Sequence, residues 1–196
     1  MNTTQIVTFG GKNIVTTVTN KAVVIDQWIT DVTSHYTDNN ETTVVGLDME
    51  WRPNVTSTMN NKTSTLQLCI NNKCLIVQLF YLDYIPQSLK DFLGRPNFIF
   101  VGVQVGEDAE KLFDEYGLFC CSTKDIQAYA MEQWPYRWYR RPGLKVLAKD
   151  IVGLYMPKPM HICRSDWQTR VLSEEQVEYA CIDAYASYKI GHRLFM

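Results

Sequence analysis

The stretch VVGLDMEW, residues 44–51, decides how the rest of the chain is read. Val44, Val45, Gly46 and Leu47 form an apolar run that reads as a buried strand, and it passes directly into Asp48 and Glu50. Side chains alternate along a strand, so these two carboxylates point to the same face. Burying a pair of acids is costly unless something positive neutralises them. A divalent cation, which prefers hard oxygen ligands, is the partner best suited to such a pair. The Asp-x-Glu spacing is common, and Asp108-Ala109-Glu110 repeats it. The weight of the reading therefore rests on what else in the chain converges on the same point.

The chain has 196 residues, 46% of them hydrophobic and 20% charged, with a net charge of -2. That length suits one well-buried domain spanning residues 1–196, and the composition is that of an ordinary globular protein. No apolar run approaches the roughly 20 residues that a membrane-spanning helix needs. The amino terminus has no basic stretch followed by an apolar one, so no secretory signal is expected. The six cysteines show no paired zinc-like spacing and read as small apolar residues and reduced thiols of a cytoplasmic or nuclear protein. The charge balance gives no global attraction to nucleic acid, so any such binding must use local basic groups and metal ions.

Residues 5–19 read as two β-rich runs around Gly10-Gly11, a hairpin signal. In residues 22–36, Val23, Ile25, Trp28, Ile29 and Val32 recur at helical spacing. Residues 37–43 form a turn into the central strand, and a surface loop follows Trp51 from Arg52 to Ser64. LQLCI (66–70) and CLIVQLF (74–80) flank Asn71-Asn72-Lys73 as a second hairpin. A short helix is expected from Pro86 to Leu93. FIFVGVQV (98–105) reads as a strand buried on both faces. Helices follow at 107–116, 125–134 and 143–153, then an irregular stretch at 154–170. A long final helix begins at Ser173, where Gln176 completes a capping box. Hairpins first, then alternating strands and helices, predict a mixed sheet with helices packed on it.

Three further positions need explaining. Tyr179 and Asp183 lie four residues apart and share one face of the final helix, inside the apolar run YACIDAYASY. Asp108 sits where a buried strand passes into a helix, the edge at which ligands collect in such folds. It also fits an ordinary helix N-cap. Glu110 falls on a different side of that helix and reads as solvated.

Taken in order, GLDMEW, a strand with LQLC, GVQVGEDAEKL, SDW and LSEEQVEYACIDAYASY resemble the DEDD superfamily of 3'-5' exonucleases. The similarity is greatest to the exonuclease domains of Werner-type proteins and to small plant relatives, exoribonucleases among them. It runs from about Val44 to the carboxy terminus and covers residues 1–43 only weakly. The resemblance implies an α/β fold of the ribonuclease H-like, DnaQ-like kind: a mixed sheet flanked by helices. The hairpin and helix of residues 1–43 would precede an exonuclease core of residues 44–196, with the hairpin as an extra.

Residue by residue, it implies that Asp48, Glu50, Asp108 and Asp183 hold two Mg2+ ions, for which Mn2+ can substitute. Tyr179 would be the tyrosine of the tyrosine subclass; the position that is histidine in the other subclass is Glu178. The implied activity is hydrolysis from the 3' end of single-stranded nucleic acid, releasing nucleoside 5'-monophosphates. The plant exoribonucleases tilt the expected substrate slightly to RNA. A Werner-like DNA exonuclease is the alternative, and an inactive scaffold subunit is a rival of another class. Expected substrate contacts are Met49, Trp51, Arg137, Arg140, Lys145 and Arg164. Lys158, with Arg164 in the loop before the final helix, reads either as a solvated charge or as a phosphate contact, and Trp167 is read as packing that fixes this loop.

The stretch WPYRWYRRPGLK (134–145) interleaves Trp134, Tyr136, Trp138 and Tyr139 with arginines. That mixture serves a single-strand groove or a subunit interface, and the sequence leaves both open. The plant relatives imply a homo-oligomer, in a ring of six. Two positions depart from the Werner-type pattern: Met160-His161 stands where relatives often have Lys and a small polar residue, and Gln104 replaces a common glycine.

Overall fold

A computed structural model of the chain describes residues 2–34, 42–54, 56, 58–137, 140–157 and 159–196. Strands β1 (Asn2–Phe9) and β2 (Lys12–Thr19) are joined at Gly10 and Gly11, both at positive φ (56° and 71°), the geometry of a two-residue hairpin turn. Helix α1 (Ala22–Thr33) leads to β3 (Thr43–Trp51), β4 (Thr63–Ile70) and β5 (Lys73–Val77). Next come α2 (Gln87–Gly94), β6 (Phe98–Gly102), α3 (Val105–Tyr116), β7 (Thr123–Asp125) and α4 (Ile126–Gln133). The chain finishes with α5 (Leu144–Val152), α6 (Met160–Cys163) and α7 (Glu174–Phe195).

The strands form one seven-stranded sheet in the order β1-β2-β5-β4-β3-β6-β7. β3, β4 and β5 meander antiparallel, while β6 and β7 run parallel to β3 as the outcome of helical crossovers. This is the mixed sheet flanked by helices that the resemblance implies. The amino-terminal hairpin is not an appendage, because β2 pairs parallel with β5 and extends the same sheet.

Both faces of the sheet are covered. On one, Trp28 of α1 and Phe92 of α2 meet at 6.2 Å between ring centroids, and Phe92 packs tilted against Phe98 and edge-on against Phe100 of β6 at 4.9 and 5.7 Å. On the other lies α7, pressed close by two glycines. A Cβ on Gly46 of β3 would stand 2.0 Å from the Ala184 carbonyl, and one on Gly191 would stand 2.5 Å from Val101. Only a residue without a side chain lets helix and strand backbones approach this closely.

Several sequence expectations are corrected. The strand expected over 98–105 ends at Gly102, because Gln104 adopts a left-handed conformation (φ 57°) and Val105 already opens α3. Likewise CLIVQLF leaves the strand after Val77 and turns through a short 3-10 segment, Leu79–Tyr81. Thr63 and Ser64, expected in the loop, are the first residues of β4. Val23 is 56% exposed, and the buried stripe of α1 is Ala22, Ile25, Trp28, Ile29 and Val32. The stretch 154–170 is not wholly irregular, since it contains α6. β7 went unanticipated because Thr-Lys-Asp is three polar-leaning residues with no periodicity to detect. Most of the expected turn at 37–43 lies outside the described residues.

Candidate active site

β3 carries Gly46, Asp48 and Glu50 along one face, and Gly46 shows that this face lies beneath α7. The Ala184 carbonyl rests over Gly46. Asp183, one residue earlier on α7, is therefore set beside Asp48, two residues further along β3. The result is an acidic cluster: Asp48, Glu50 and Asp183 each place a carboxylate oxygen within 4.8 Å of the other two. Asp108 lies in the first turn of α3, just past the end of β6, and stands outside that triangle. Its negative charge nevertheless reaches both Asp48 and Glu50. Glu110, expected to be solvated, is exposed.

These acids strain one another electrostatically. Burial, then the charges of Asp183, Glu50 and Asp108, push the Asp48 carboxyl well above the ordinary range. Burial first and Asp183 next raise Glu50 to about 9. Burial, followed by the charges of Glu107 and Asp125, raises Asp108 to about 7, with Lys111 opposing. Among the described residues no lysine, arginine or histidine forms an ion pair with Asp48 or Glu50. Opposite Asp48 on β4, the fully buried Gln67 donates from Nε2 to Thr65 Oγ1 at 2.7 Å, and its Oε1 has no partner among the described residues. Three converging carboxylate oxygens are the hard donor set that a divalent cation prefers.

Tyr179 sits one turn before Asp183. Its ring lies 6.0 Å from that of Trp167, which is almost fully buried and donates from Nε1 to the Cys163 carbonyl at 3.3 Å. Trp167 is thus the packing residue the sequence suggested. The first turn of α7 holds the same loop, since Gln176 Nε2 donates to Ser165 Oγ at 2.9 Å. Burial raises the Tyr179 hydroxyl far above its ordinary value, followed by the charges of Asp183 and Glu50 and a hydrogen bond with Cys163. Tyr179 therefore remains protonated at any physiological pH. Cys163, one of six bland thiols in sequence, turns out to adjoin both Tyr179 and Glu50; nothing in its spacing marks it out.

Two clefts open onto this centre. One, of about 300 Å³, is lined by Lys145, Val146, Met156, Tyr179 and Asp183 among others; a second, of about 170 Å³, by Pro157, Ile162, Glu178, Tyr179 and Asp183. Lys145 thus shares a cleft with Tyr179 and Asp183. Met49 does not present its side chain there: it is buried in the core, and strand alternation turns it to the face opposite Asp48. Trp51 is half-buried beneath Lys111, whose Nζ lies 5.4 Å from the indole ring. Arg164 is exposed at the end of α6. Arg137 pairs with Asp150 at 3.5 Å and lines a cleft with Trp134 and Arg193, near the far end of α7. Ten residues of helix separate Arg193 from Asp183, about 15 Å. Arg140 is exposed, while Trp138, Tyr139 and Lys158 lie outside the described residues.

Comparison with protein families matches residues 24–195 to the family described as 3'-5' exonuclease. The chain belongs to the 3'-5' exonuclease family. The match begins inside α1, so the family's domain takes in more of the amino-terminal region than the motifs alone suggested. A "3'-5' exonuclease" of Arabidopsis thaliana is 33% identical over 150 residues, covering 74% of this chain and 50% of that protein. The mouse "Bifunctional 3'-5' exonuclease/ATP-dependent helicase WRN" is 30% identical over 152 residues, 77% of this chain and 11% of its own length. The chain thus spans half or less of these relatives. Among solved structures, the EXD2 exonuclease domain soaked in Mn and Mg superposes with a TM-score of 0.52 at 29% identity, over 91% of this chain and 88% of that one. The exonuclease fold is accordingly the one that the sequence motifs implied.

Proposed function

We propose that this exonuclease domain removes nucleotides one at a time from the 3' end of a single strand, using two divalent cations, Mg2+ or Mn2+. The observation that carries the reading is the close approach of Asp48, Glu50 and Asp183, with Asp108 at its edge. The soaking of Mn and Mg into the EXD2 domain supports the choice of ion. Bound divalent ions would supply charge neutralisation at the phosphate and acidification of a water. Asp48, Glu50 and Asp183, with Asp108 at the edge of the cluster, would hold the ions. Tyr179, held protonated, orients the attacking water through its hydroxyl and does not act as a base. Water attacks phosphorus, the bond to the 3'-oxygen of the penultimate nucleotide breaks, and a nucleoside 5'-monophosphate leaves. Lys145, beside Tyr179 and Asp183, suits a phosphate contact.

RNA is favoured slightly over DNA, on the likeness of the motifs to plant exoribonucleases. Matched RNA and DNA strands, single and duplex, digested side by side with Mg2+ and with EDTA, decide the question. Faster loss of RNA supports the reading, and faster loss of DNA replaces it with the Werner-like one. Inertness on both leaves the scaffold reading. Trp134 and Tyr136, both exposed beside Arg137, suit contact between subunits of a homo-oligomer. Tyr136→Ala would then lower the particle mass in light scattering; weaker oligonucleotide binding at constant mass would instead assign the segment to the substrate.

A further inference from the structure

Between β6 and α3 the chain must reverse within two residues. Gly102 ends the strand so tightly that a Cβ there would lie 2.7 Å from the Leu47 carbonyl of β3. Gln104 then adopts φ 57°, ψ 27°, a left-handed conformation that a residue with a side chain takes reluctantly. No side chain caps the start of α3 at this residue. The first helical bonds run from the backbone N–H groups of Glu107 and Asp108 to the Gln104 carbonyl, at 3.0 and 3.4 Å. The direction in which α3 sets off, and with it the position of Asp108, therefore depends on what holds Gln104 in place.

Asp125 holds it. Parallel pairing sets Asp125, the last residue of β7, opposite Gly102. Its Oδ2 accepts the backbone N–H of Gln104 at 3.0 Å. Its Oδ1 accepts the N–H groups of Gln127 and Ala128 at 2.8 and 3.1 Å, capping α4. One carboxylate thus uses its two oxygens for two separate tasks, and only the second, at α4, is an ordinary cap. We propose that Asp125 is a positioning residue of the exonuclease centre, latching the left-handed joint at Gln104 and so fixing where Asp108 meets the other acids. The inference rests on the proposed reading of Asp108 as a metal-holding carboxylate.

The two tasks can be separated chemically. In Asp125→Asn the amide oxygen still caps α4, but an NH2 group now faces the Gln104 N–H, donor against donor. The experiment titrates Mn2+ into the full chain without substrate, following free Mn2+ by electron paramagnetic resonance, for wild type, Asp125→Asn and Asp108→Asn. Expected is a loss of Mn2+ affinity of about tenfold in Asp125→Asn, in the range seen when a group supporting a metal ligand is removed. Adding Gln104→Gly, which adopts the left-handed conformation freely, should recover part of that loss. Wild-type Mn2+ affinity in Asp125→Asn, beside weakened affinity in Asp108→Asn, overturns the inference and leaves Asp125 a helix cap. Unchanged affinity in Asp108→Asn would instead remove the reading of Asp108 on which it rests. Should Asp125→Asn fail to fold, Asp125→Ser repeats the test, because serine caps α4 with a single hydroxyl; its wild-type affinity would equally overturn the proposal.

Discussion

Asp48 works against the fold that carries it. It is buried among like charges, and burial together with those charges pushes its carboxyl well above the ordinary range. Asp48→Asn removes the repulsion while keeping the shape. It should abolish Mg2+-dependent trimming of a 3'-labelled oligonucleotide, yet raise the melting point of the EDTA-treated protein by about 2–4 °C, equivalent to about 1 kcal/mol. A lowered melting point would mean that the carboxylate contributes to the fold. Tyr179→Phe makes a different statement. If the hydroxyl orients the water, turnover should fall by about a hundredfold or more while Mn2+ binding stays unchanged. An unchanged rate would reduce Tyr179 to packing against Trp167. The four acids and Tyr179 stood out in sequence by position: Asp48 and Glu50 share a face at the end of an apolar strand, Asp108 sits where a buried strand passes into a helix, and Tyr179 and Asp183 share a face of an apolar helix. Asp125 and Cys163 did not, since an aspartate before a helix and a cysteine in a loop look alike whether or not they adjoin a reacting centre.

The approach of α7 to β3 decides whether the acids meet, and Gly46 is the residue that permits it. Gly46→Ala would drive a methyl group into the Ala184 carbonyl and the Tyr188 amide, neither of which can move without moving the helix. A cost of about 1–3 kcal/mol is expected from such overpacking, read by urea denaturation, together with a lower turnover as Asp183 is displaced. Gly94→Ala is the control. It lies at the end of α2 with open space around it, and should be neutral or stabilise by up to about 1 kcal/mol. Element boundaries were legible where local chemistry sets them, as at the Ser173–Gln176 capping box and the Gly117 and Gly153 helix ends. The end of β6 was not, because FIFVGVQV stays apolar past the point where Gln104 turns the chain.

The folded domain as a body stores protons in its centre. Asp108 and Glu50 have folded pKa values of about 7 and about 9, above their ordinary unfolded ones. The folded metal-free chain therefore binds protons that the unfolded chain has already released. That contribution to stability is complete below the ordinary carboxylate range, and it is lost as pH rises through 7 and then 9. The melting point of EDTA-treated protein should accordingly decline between pH 6 and pH 9. Divalent ions, which bind the ionised carboxylates, should offset the decline, adding about 2.7 kcal/mol at a hundredfold excess over Kd. A melting point independent of pH and of Mn2+ would contradict the acidic centre as a cation site.

Sequence alone determined on which local element each of the four acids and Tyr179 lies, because strand alternation, helical spacing and capping are short-range rules. It also determined the mixed sheet, through the order of hairpins and alternating strands and helices. The tertiary structure alone decided that the amino-terminal hairpin joins that sheet, that Met49 faces the core, and that Arg137 stands away from the acids beside Asp150. It decided, above all, that Asp48 and Asp183 share one site. That depends on how closely α7 can lie against β3 at Gly46, a steric fit between segments distant in the chain that no local pattern records.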